Sequence, residues 1–107
     1  MKKQILLLLA ATLLLGGCAS LIQSASVSEA YKHYELQKYE RTLELITQAE
    51  RADVLSGDLK AELTYLKAQT YEKLGRHKSA QTLYKYLVTE HGKSQYGYLA
   101  ATQLNTE

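Results

Sequence analysis

The hydrophobic pattern divides the chain into two parts that meet near residue 26. Residues 5–15 form an apolar run that only Thr12 interrupts. Beyond residue 26, apolar residues recur every three or four positions, which is the spacing of amphipathic helices that bury one face. This periodicity predicts helices at about 27–36, 39–52, 59–74, 77–91 and 95–105.

Capping signals agree with these predicted boundaries. Residues 26–29, Ser-Val-Ser-Glu, have the order of a capping box, and Asp58 and Ser94 are suited to the N-cap position. Gly92 is expected to end the fourth helix. Proline is absent from the whole sequence. The sequence therefore predicts an all-α fold.

The apolar run at residues 5–15 is typical of a secretory leader. It is too short to cross about 30 Å of hydrocarbon, which takes roughly 20 helical residues. Lys2 and Lys3 precede it and small residues follow it, as in a signal peptide that is removed on export. We therefore expect residues 1–17 to be a signal peptide that the mature protein lacks.

Removal of the leader changes the charge of the protein. Without Lys2 and Lys3 the basic residues number 13 − 2 = 11, which equals the 11 acidic residues. A neutral domain lacks the basic patch that nucleic acid requires, so nucleic acid is not an expected partner. Cys18 is the single cysteine of the sequence, so no internal disulfide can form in an oxidising compartment.

The residues around Cys18 resemble a bacterial lipobox. Leu15, Gly16 and Gly17 stand before it, in the order of a branched apolar residue and two small residues. The resemblance implies that the leader is cut before Cys18, and that lipid on its sulfur and on its new amine anchors the chain. Ala19 stands where Asp commonly retains such lipoproteins in the inner membrane, so the resemblance implies the periplasmic face of the outer membrane. The alternative is an ordinary signal cut nearby, which leaves Cys18 free.

Residues 18–26 are predicted to be the lipidated cysteine and a short tether. The segment after Cys18 carries no charge and has weak periodicity. Eight extended residues reach at most about 28 Å, at ~3.5 Å each. The domain at residues 27–107 is therefore expected to stay close to the membrane.

The predicted helices repeat with an offset of 38 residues (68 − 30 = 38). The matching pairs are Ala30 with Ala68, Tyr39 with His77, Thr42 with Ala80, Ile46 with Tyr84, and Ala49 with Leu87. In the second copy Ala68 and Ala80 are small where two helices must approach, and Gly75 suits a left-handed turn. Tyr71 and Tyr84 are large enough to fill the space between helices.

This second copy resembles the tetratricopeptide repeat (TPR), a two-helix hairpin of about 34 residues. The segment from His91 to Ala101 is similar to one found in small periplasmic TPR lipoproteins of the outer-membrane assembly type, with Gly92 at a proline position. The first copy departs from the pattern, with Gln37 at the glycine position. The resemblance implies two antiparallel helical hairpins and a C-terminal capping helix in a right-handed superhelical segment; a plain four- or five-helix bundle is the alternative.

In this repeat family, ligands bind a concave groove lined by the first helix of each hairpin. The resemblance implies that the partner-binding groove of this chain is lined by Tyr31, Tyr34 and Glu35 from copy one and by Tyr65, Gln69, Glu72 and Lys73 from copy two. The nine tyrosines, without Phe or Trp, suit a half-exposed contact surface. The family's lysine–asparagine clamp for a C-terminal carboxylate is not matched, because Tyr65 and Gln69 hold those places.

No catalytic site assembles in the sequence, so we expect no enzyme. His33, His77 and His91 lie far apart and form no metal-binding motif, so no metal and no cofactor other than the lipid is expected. We expect a membrane-anchored TPR adaptor or accessory subunit that docks another envelope protein or peptide. The alternatives are a self-associating scaffold that forms a homo-oligomer through its uncapped N-terminal end, or a lipoprotein that binds cell-wall glycan.

Overall fold

A computed structural model of the protein describes residues 21–52 and 54–106. Five helices occupy this part of the chain, and none of its residues lies in a strand, so the all-α prediction is confirmed. The helices are α1 at residues 21–35, α2 at Tyr39–Glu50, α3 at Gly57–Lys73, α4 at His77–Glu90 and α5 at Gln95–Thr106. The predicted signal peptide, Leu15, Gly16, Gly17, Cys18 and Ala19 lie outside the described residues.

Helix α1 begins earlier than the sequence predicted. Ser26 lies inside the helix and is 3% exposed, so the predicted capping box at residues 26–29 is wrong. The Gln23 side chain holds the first turns in place, because its Nε2 donates to the carbonyl oxygens of Ala49 (3.4 Å) and Val54 (3.1 Å). Residues 21–26 are therefore helical and are not part of an extended tether.

The other boundaries lie close to their predicted positions. Helix α3 is capped by Ser56, whose hydroxyl accepts from the Leu59 amide at 3.1 Å, and not by Asp58. Asp58 lies instead in the first turn, where a carboxylate interacts favourably with the helix dipole. The predicted N-cap Ser94 is confirmed, because its Oγ accepts from the Gly97 amide at 3.0 Å. Helix α4 ends at Glu90, just before Gly92.

The two helical hairpins end their first helices in the same way. Gln37 and Gly75 both have positive φ, of 62° and 75°, and lie 38 positions apart (75 − 37 = 38). At each turn a backbone N–H donates to the carbonyl five residues earlier: Lys38 to His33 at 2.8 Å, and Arg76 to Tyr71 at 2.9 Å. This is a Schellman turn in both copies. The offset found in the sequence is therefore repeated in the backbone.

Burial follows the same offset. Four of the five predicted pairs are buried at both positions: Ala30 with Ala68, Thr42 with Ala80, Ile46 with Tyr84, and Ala49 with Leu87. The fifth pair differs, because Tyr39 is half-buried whereas His77 is exposed. Paired helical hairpins are therefore established for the described residues. The superhelical sense and the repeat family remain predictions.

Helix α3 is the central element because it is apolar on two faces. Leu59, Leu63 and Leu66 contribute to one core cluster with α1 and α2. Ala61, Tyr65 and Ala68 contribute to a second cluster with α4 and α5. Both sets recur at i, i+4 and i+7, so each forms its own helical stripe. Only a helix placed between two layers can bury both stripes.

Helix α5 packs on the second hairpin, as expected of a C-terminal capping helix. Ala100 is fully buried in the cluster with α3 and α4, and Tyr96 and Leu104 pack against that cluster. Its outer side remains open, since Tyr98 is 72% exposed and Leu99 is 38% exposed. None of the helices in the described ranges is both long and apolar enough to cross a bilayer.

Candidate binding groove

Four of the seven groove residues from the sequence lie around one cavity. The cavity has a volume of about 280 Å³ and is lined by Tyr34, Gln69, Glu72, Lys73, Tyr84 and Gln103. These residues come from α1, α3, α4 and α5, so the cavity exists only when both hairpins and the last helix are assembled. Residues 69, 72 and 73 reach it together because they share one face of α3.

Glu72 is the most unusual group in this cavity. Its Oε2 lies 3.2 Å from His77 Nδ1. Its Oε1 is buried and has no hydrogen-bond partner among the described residues. A buried acceptor without a donor costs about 1–3 kcal/mol. A ligand that offers an N–H or O–H group to this oxygen would recover that free energy.

The remaining polar groups of the cavity together offer both hydrogen-bond donors and acceptors. Gln69 and Gln103 each carry an amide, and the ammonium group of Lys73 supplies donors only. Lys73 is exposed, whereas the two glutamines are half-buried. This mixture suits a ligand that carries donors and acceptors side by side, as a peptide main chain does.

Tyr34 forms the aromatic wall of the cavity on the α1 side. Its ring packs edge-on against Tyr39, with 5.6 Å between ring centroids and 67° between planes. The side chain is half-buried, and this burial, followed by the nearby hydroxyls of Tyr39 and Tyr65, raises the pKa of Tyr34. Tyr34 is therefore held in its neutral form with its ring position restricted.

Tyr31 lies outside the cavity and joins α1 to α3. Its hydroxyl donates to Glu62 Oε1 at 2.7 Å, and the residue is 36% exposed. Partial burial is the main cause that raises the pKa of Tyr31 above its usual 10.0, and the hydrogen bond to the Glu62 carboxylate is the next. Tyr31 therefore acts as a link between two groove-lining helices.

Tyr65 is part of the core. It is 9% exposed, and its ring centroid lies 6.0 Å from that of Tyr84 and 5.8 Å from that of Tyr96. This burial corrects the expectation that Tyr65 offers a half-exposed ring to a partner. The ring instead joins α3 to α4 and α5 through its contacts with Tyr84 and Tyr96.

Three predicted groove residues, Tyr31, Glu35 and Tyr65, do not line the cavity, and two lining residues, Tyr84 and Gln103, were not predicted to be there. Glu62, the hydrogen-bond partner of Tyr31, was missed as well. Glu62 precedes Tyr65 by three positions and Gln69 by seven, so the helical spacing already placed it on the same face. Gln103 comes from α5 and had no such signal, since only the packing of α5 on α3 brings it there. Glu35 is exposed at the end of α1 and does not line this cavity.

Two other surface depressions are larger but are built differently. One, of about 450 Å³, is lined by residues 89–94, and another, of about 500 Å³, is lined by residues 75–79. Each is formed by a single stretch of chain at a helix end. The cavity at Glu72 instead takes its lining from four helices, which makes it the better candidate for specific recognition.

Within residues 21–52 and 54–106, no group of three or more His, Cys, Asp or Glu side chains is placed to hold a metal ion. His33 Nδ1 lies 2.8 Å from the Glu29 carbonyl oxygen of its own helix. His77 lies beside Glu72 and the His91 ring packs edge-on against Tyr86, so each of the three histidines has a different partner. Comparison of the chain with protein-family models, curated proteins and solved structures found no match, so the functional conclusion rests on its own residues.

Proposed function

We propose that this protein is a membrane-anchored TPR lipoprotein that acts as an adaptor or accessory subunit, and that it is not an enzyme. Residues 1–17 are the signal peptide, Cys18 carries the lipid, and the periplasmic face of the outer membrane is the destination. The groove at Tyr34, Gln69, Glu72 and Lys73 docks a segment of another envelope protein. In this arrangement α1 and α3 are the first helices of the two repeats, and α5 is the C-terminal capping helix.

The observation that carries the proposal is the Glu72 carboxylate on the lining of a cavity made by four helices, since its Oε1 is buried and has no hydrogen-bond partner among the described residues. A donor from a partner would satisfy it, and the amides of Gln69 and Gln103 would bind the neighbouring main chain. The cavity volume of about 280 Å³ lies just below the 300–1,000 Å³ typical of small-molecule sites. A single side chain with a short length of backbone fits this space better than a large free ligand.

Site-specific photocrosslinking in intact cells tests the groove. A photoreactive side chain is placed at Gln69 or Gln103, with exposed Thr82 on α4 as the matched control. We expect both groove positions to give the same discrete adduct and position 82 to give none. Adding Glu72→Ala should reduce that adduct at least tenfold while leaving the circular dichroism spectrum unchanged. Equal adducts from all three positions, or an adduct unaffected by Glu72→Ala, would contradict the proposal.

Metabolic labelling tests the anchor separately. Labelled palmitate should enter the full-length protein, and Cys18→Ala should abolish the label and release the protein from the membrane fraction. Cys18→Ala is the matched control because no other cysteine occurs in the sequence. Wild-type protein without label would show that Cys18 is not lipidated.

A further inference from the structure

Exposed apolar residues are gathered at the end of the domain where α1 begins. Leu21 is 70% exposed and Ile22 is 56% exposed in the first turn described, and Val54 is 80% exposed in the connection between α2 and α3. Gln23 brings these two segments together, because its side chain donates to the Val54 carbonyl oxygen at 3.1 Å. We call Leu21, Ile22 and Val54 the basal patch.

The chain itself limits what can cover the basal patch. Leu21 follows Cys18 by three residues (21 − 18 = 3). Consecutive Cα atoms are about 3.8 Å apart, so the two Cα atoms can be separated by no more than about 11 Å. The polar region of a bilayer is roughly 5–8 Å deep on each side of the hydrocarbon. A lipid on Cys18 therefore keeps the basal patch at the membrane surface.

We propose that the basal patch inserts into the interface of the phospholipid bilayer next to the lipidated cysteine. This inference rests on the proposed lipid anchor. The side chains of Leu21, Ile22 and Val54 leave water and enter the region between headgroups and acyl chains, which stabilises one orientation of the domain. The anchor alone would hold the protein on the membrane but would leave it free to tilt.

The orientation has a consequence for the groove. Tyr34 follows Leu21 by 13 residues along the same helix (34 − 21 = 13). At a rise of 1.5 Å per residue, this places Tyr34 about 20 Å further along α1. With the basal patch on the membrane, α1 can raise the cavity toward the periplasm. The partner then binds above the lipid surface and does not compete with it.

Fluorescence quenching tests this contact, because the sequence contains no tryptophan. Leu21→Trp is the reporter and Tyr98→Trp on α5 is the matched control, since the two residues are 70% and 72% exposed. The full-length lipidated proteins are reconstituted into phosphatidylethanolamine–phosphatidylglycerol vesicles with or without brominated acyl chains. We expect the brominated lipid to quench the emission of Leu21→Trp at least twofold and that of Tyr98→Trp by less than a tenth.

Each other result overturns the inference in a recognisable way. Intact-protein mass spectrometry establishes whether the lipid is present. Lipidated Leu21→Trp that is not quenched more than Tyr98→Trp would overturn the membrane contact while leaving the anchor intact. A blue-shifted emission of Leu21→Trp that is lost on dilution and not quenched would show that a second copy covers the patch. Protein without lipid would overturn both the anchor and the contact that depends on it.

Discussion

Gln37 occupies a backbone conformation that favours glycine. Its φ of 62° lies in the left-handed region, which costs an ordinary L-residue roughly 1–2 kcal/mol. The equivalent residue of the second hairpin is Gly75, with φ 75°, which adopts this conformation without that cost. The first hairpin is therefore strained at a point that the second is not.

Replacement of Gln37 by glycine should stabilise the protein. We expect Gln37→Gly to raise the free energy of unfolding by about 0.5–1 kcal/mol, because relief of the strain exceeds the added entropy of the unfolded chain. Lys38→Gly is the control, since Lys38 has a φ of −94° and gains nothing from glycine. Urea unfolding of the three proteins measures the difference. A Gln37→Gly variant no more stable than Lys38→Gly would show that the turn is not strained.

The hydrogen bond from Tyr31 to Glu62 makes stability depend on alkaline pH. Only the neutral phenol can donate, and the pKa of Tyr31 is raised in the folded state above its usual 10.0. The contribution of Tyr31 to the free energy of unfolding is therefore complete below about pH 10, and it is lost as the pH rises toward the pKa of Tyr31 in the folded state. Because Tyr31 is 36% exposed, the effect is modest, at about 0.5 kcal/mol near neutral pH.

Tyr31→Phe should separate the stabilisation by the Tyr31 hydroxyl from the effect of lysine titration, which both proteins share. At pH 7 the variant should have a slightly lower free energy of unfolding than the wild type. Between pH 10 and 11.5 this difference in free energy should become smaller. Tyr98→Phe, at an exposed position, should follow the wild type throughout. Urea unfolding at a series of pH values gives the three curves. Parallel curves for the wild type and Tyr31→Phe would show that Tyr31 does not titrate differently in the folded protein.

The junction between α4 and α5 depends on a glycine for reasons of space. A Cβ built on Gly97 would overlap the backbone carbonyl of His91, whereas one built on Gly57 at the start of α3 would meet nothing within 4 Å. Both glycines lie in helices, and Gly97 is buried. The close approach of α5 to the end of α4 is therefore possible only without a side chain at residue 97.

The two glycines form a matched pair for testing this junction. Gly97→Ala should lower the free energy of unfolding by about 1–3 kcal/mol, because backbone must move to admit the methyl group. Gly57→Ala should be neutral or slightly stabilising, since alanine favours helix and has room there. Thermal unfolding of Gly97→Ala and Gly57→Ala measures the difference in stability between the two variants. Equal melting temperatures would show that α5 does not pack as described.

The elements differ in how far their sequence determined them. The turn at Gly75, the Ser94 cap and the buried pairs at an offset of 38 residues follow from sequence signals, whereas Gln37 gives no signal for the equivalent turn after α1. The start of α1 could not be predicted from local signals, because residues 21–26 carry no charge and show little periodicity. This part of the helix is held instead by the hydrogen bonds of the Gln23 side chain. Local patterns could not indicate such a long-range contact. Helix α3 was predictable as a helix, but its two apolar stripes became interpretable only in the packed structure.

The candidate site was predictable to a similar extent. Helical spacing grouped Gln69, Glu72 and Lys73 on one face, and they do line one cavity. The same spacing also placed Tyr65 on that face. Spacing does not indicate how deeply a side chain is buried, however, and Tyr65 is buried under α5. Depth depends on how neighbouring helices cover a stripe, which is a property of the tertiary packing.

At the scale of the whole molecule, helix α3 couples the two hairpins. The core cluster with α1 and α2 and the cluster with α4 and α5 share no side chain, yet both take part of their residues from α3. Loss of α3 would expose both clusters at once. The described helices should therefore unfold as a single unit, although the repeat pattern would allow each hairpin to open separately.

Hydrogen exchange can distinguish these two forms of unfolding. Ile46→Val removes one methylene from the cluster of α1, α2 and α3, at a cost of about 0.5–1.5 kcal/mol, or roughly 2–10-fold in the unfolding equilibrium. If α3 couples the hairpins, the slowest amides of α5 should exchange faster by the same factor as those of α2. Thr82→Ala, at an exposed position on α4, should leave both sets unchanged. Faster exchange confined to α1 and α2 would mean that the second hairpin and α5 stay folded without the first hairpin, and that the cavity at Glu72 can open when only the first hairpin unfolds.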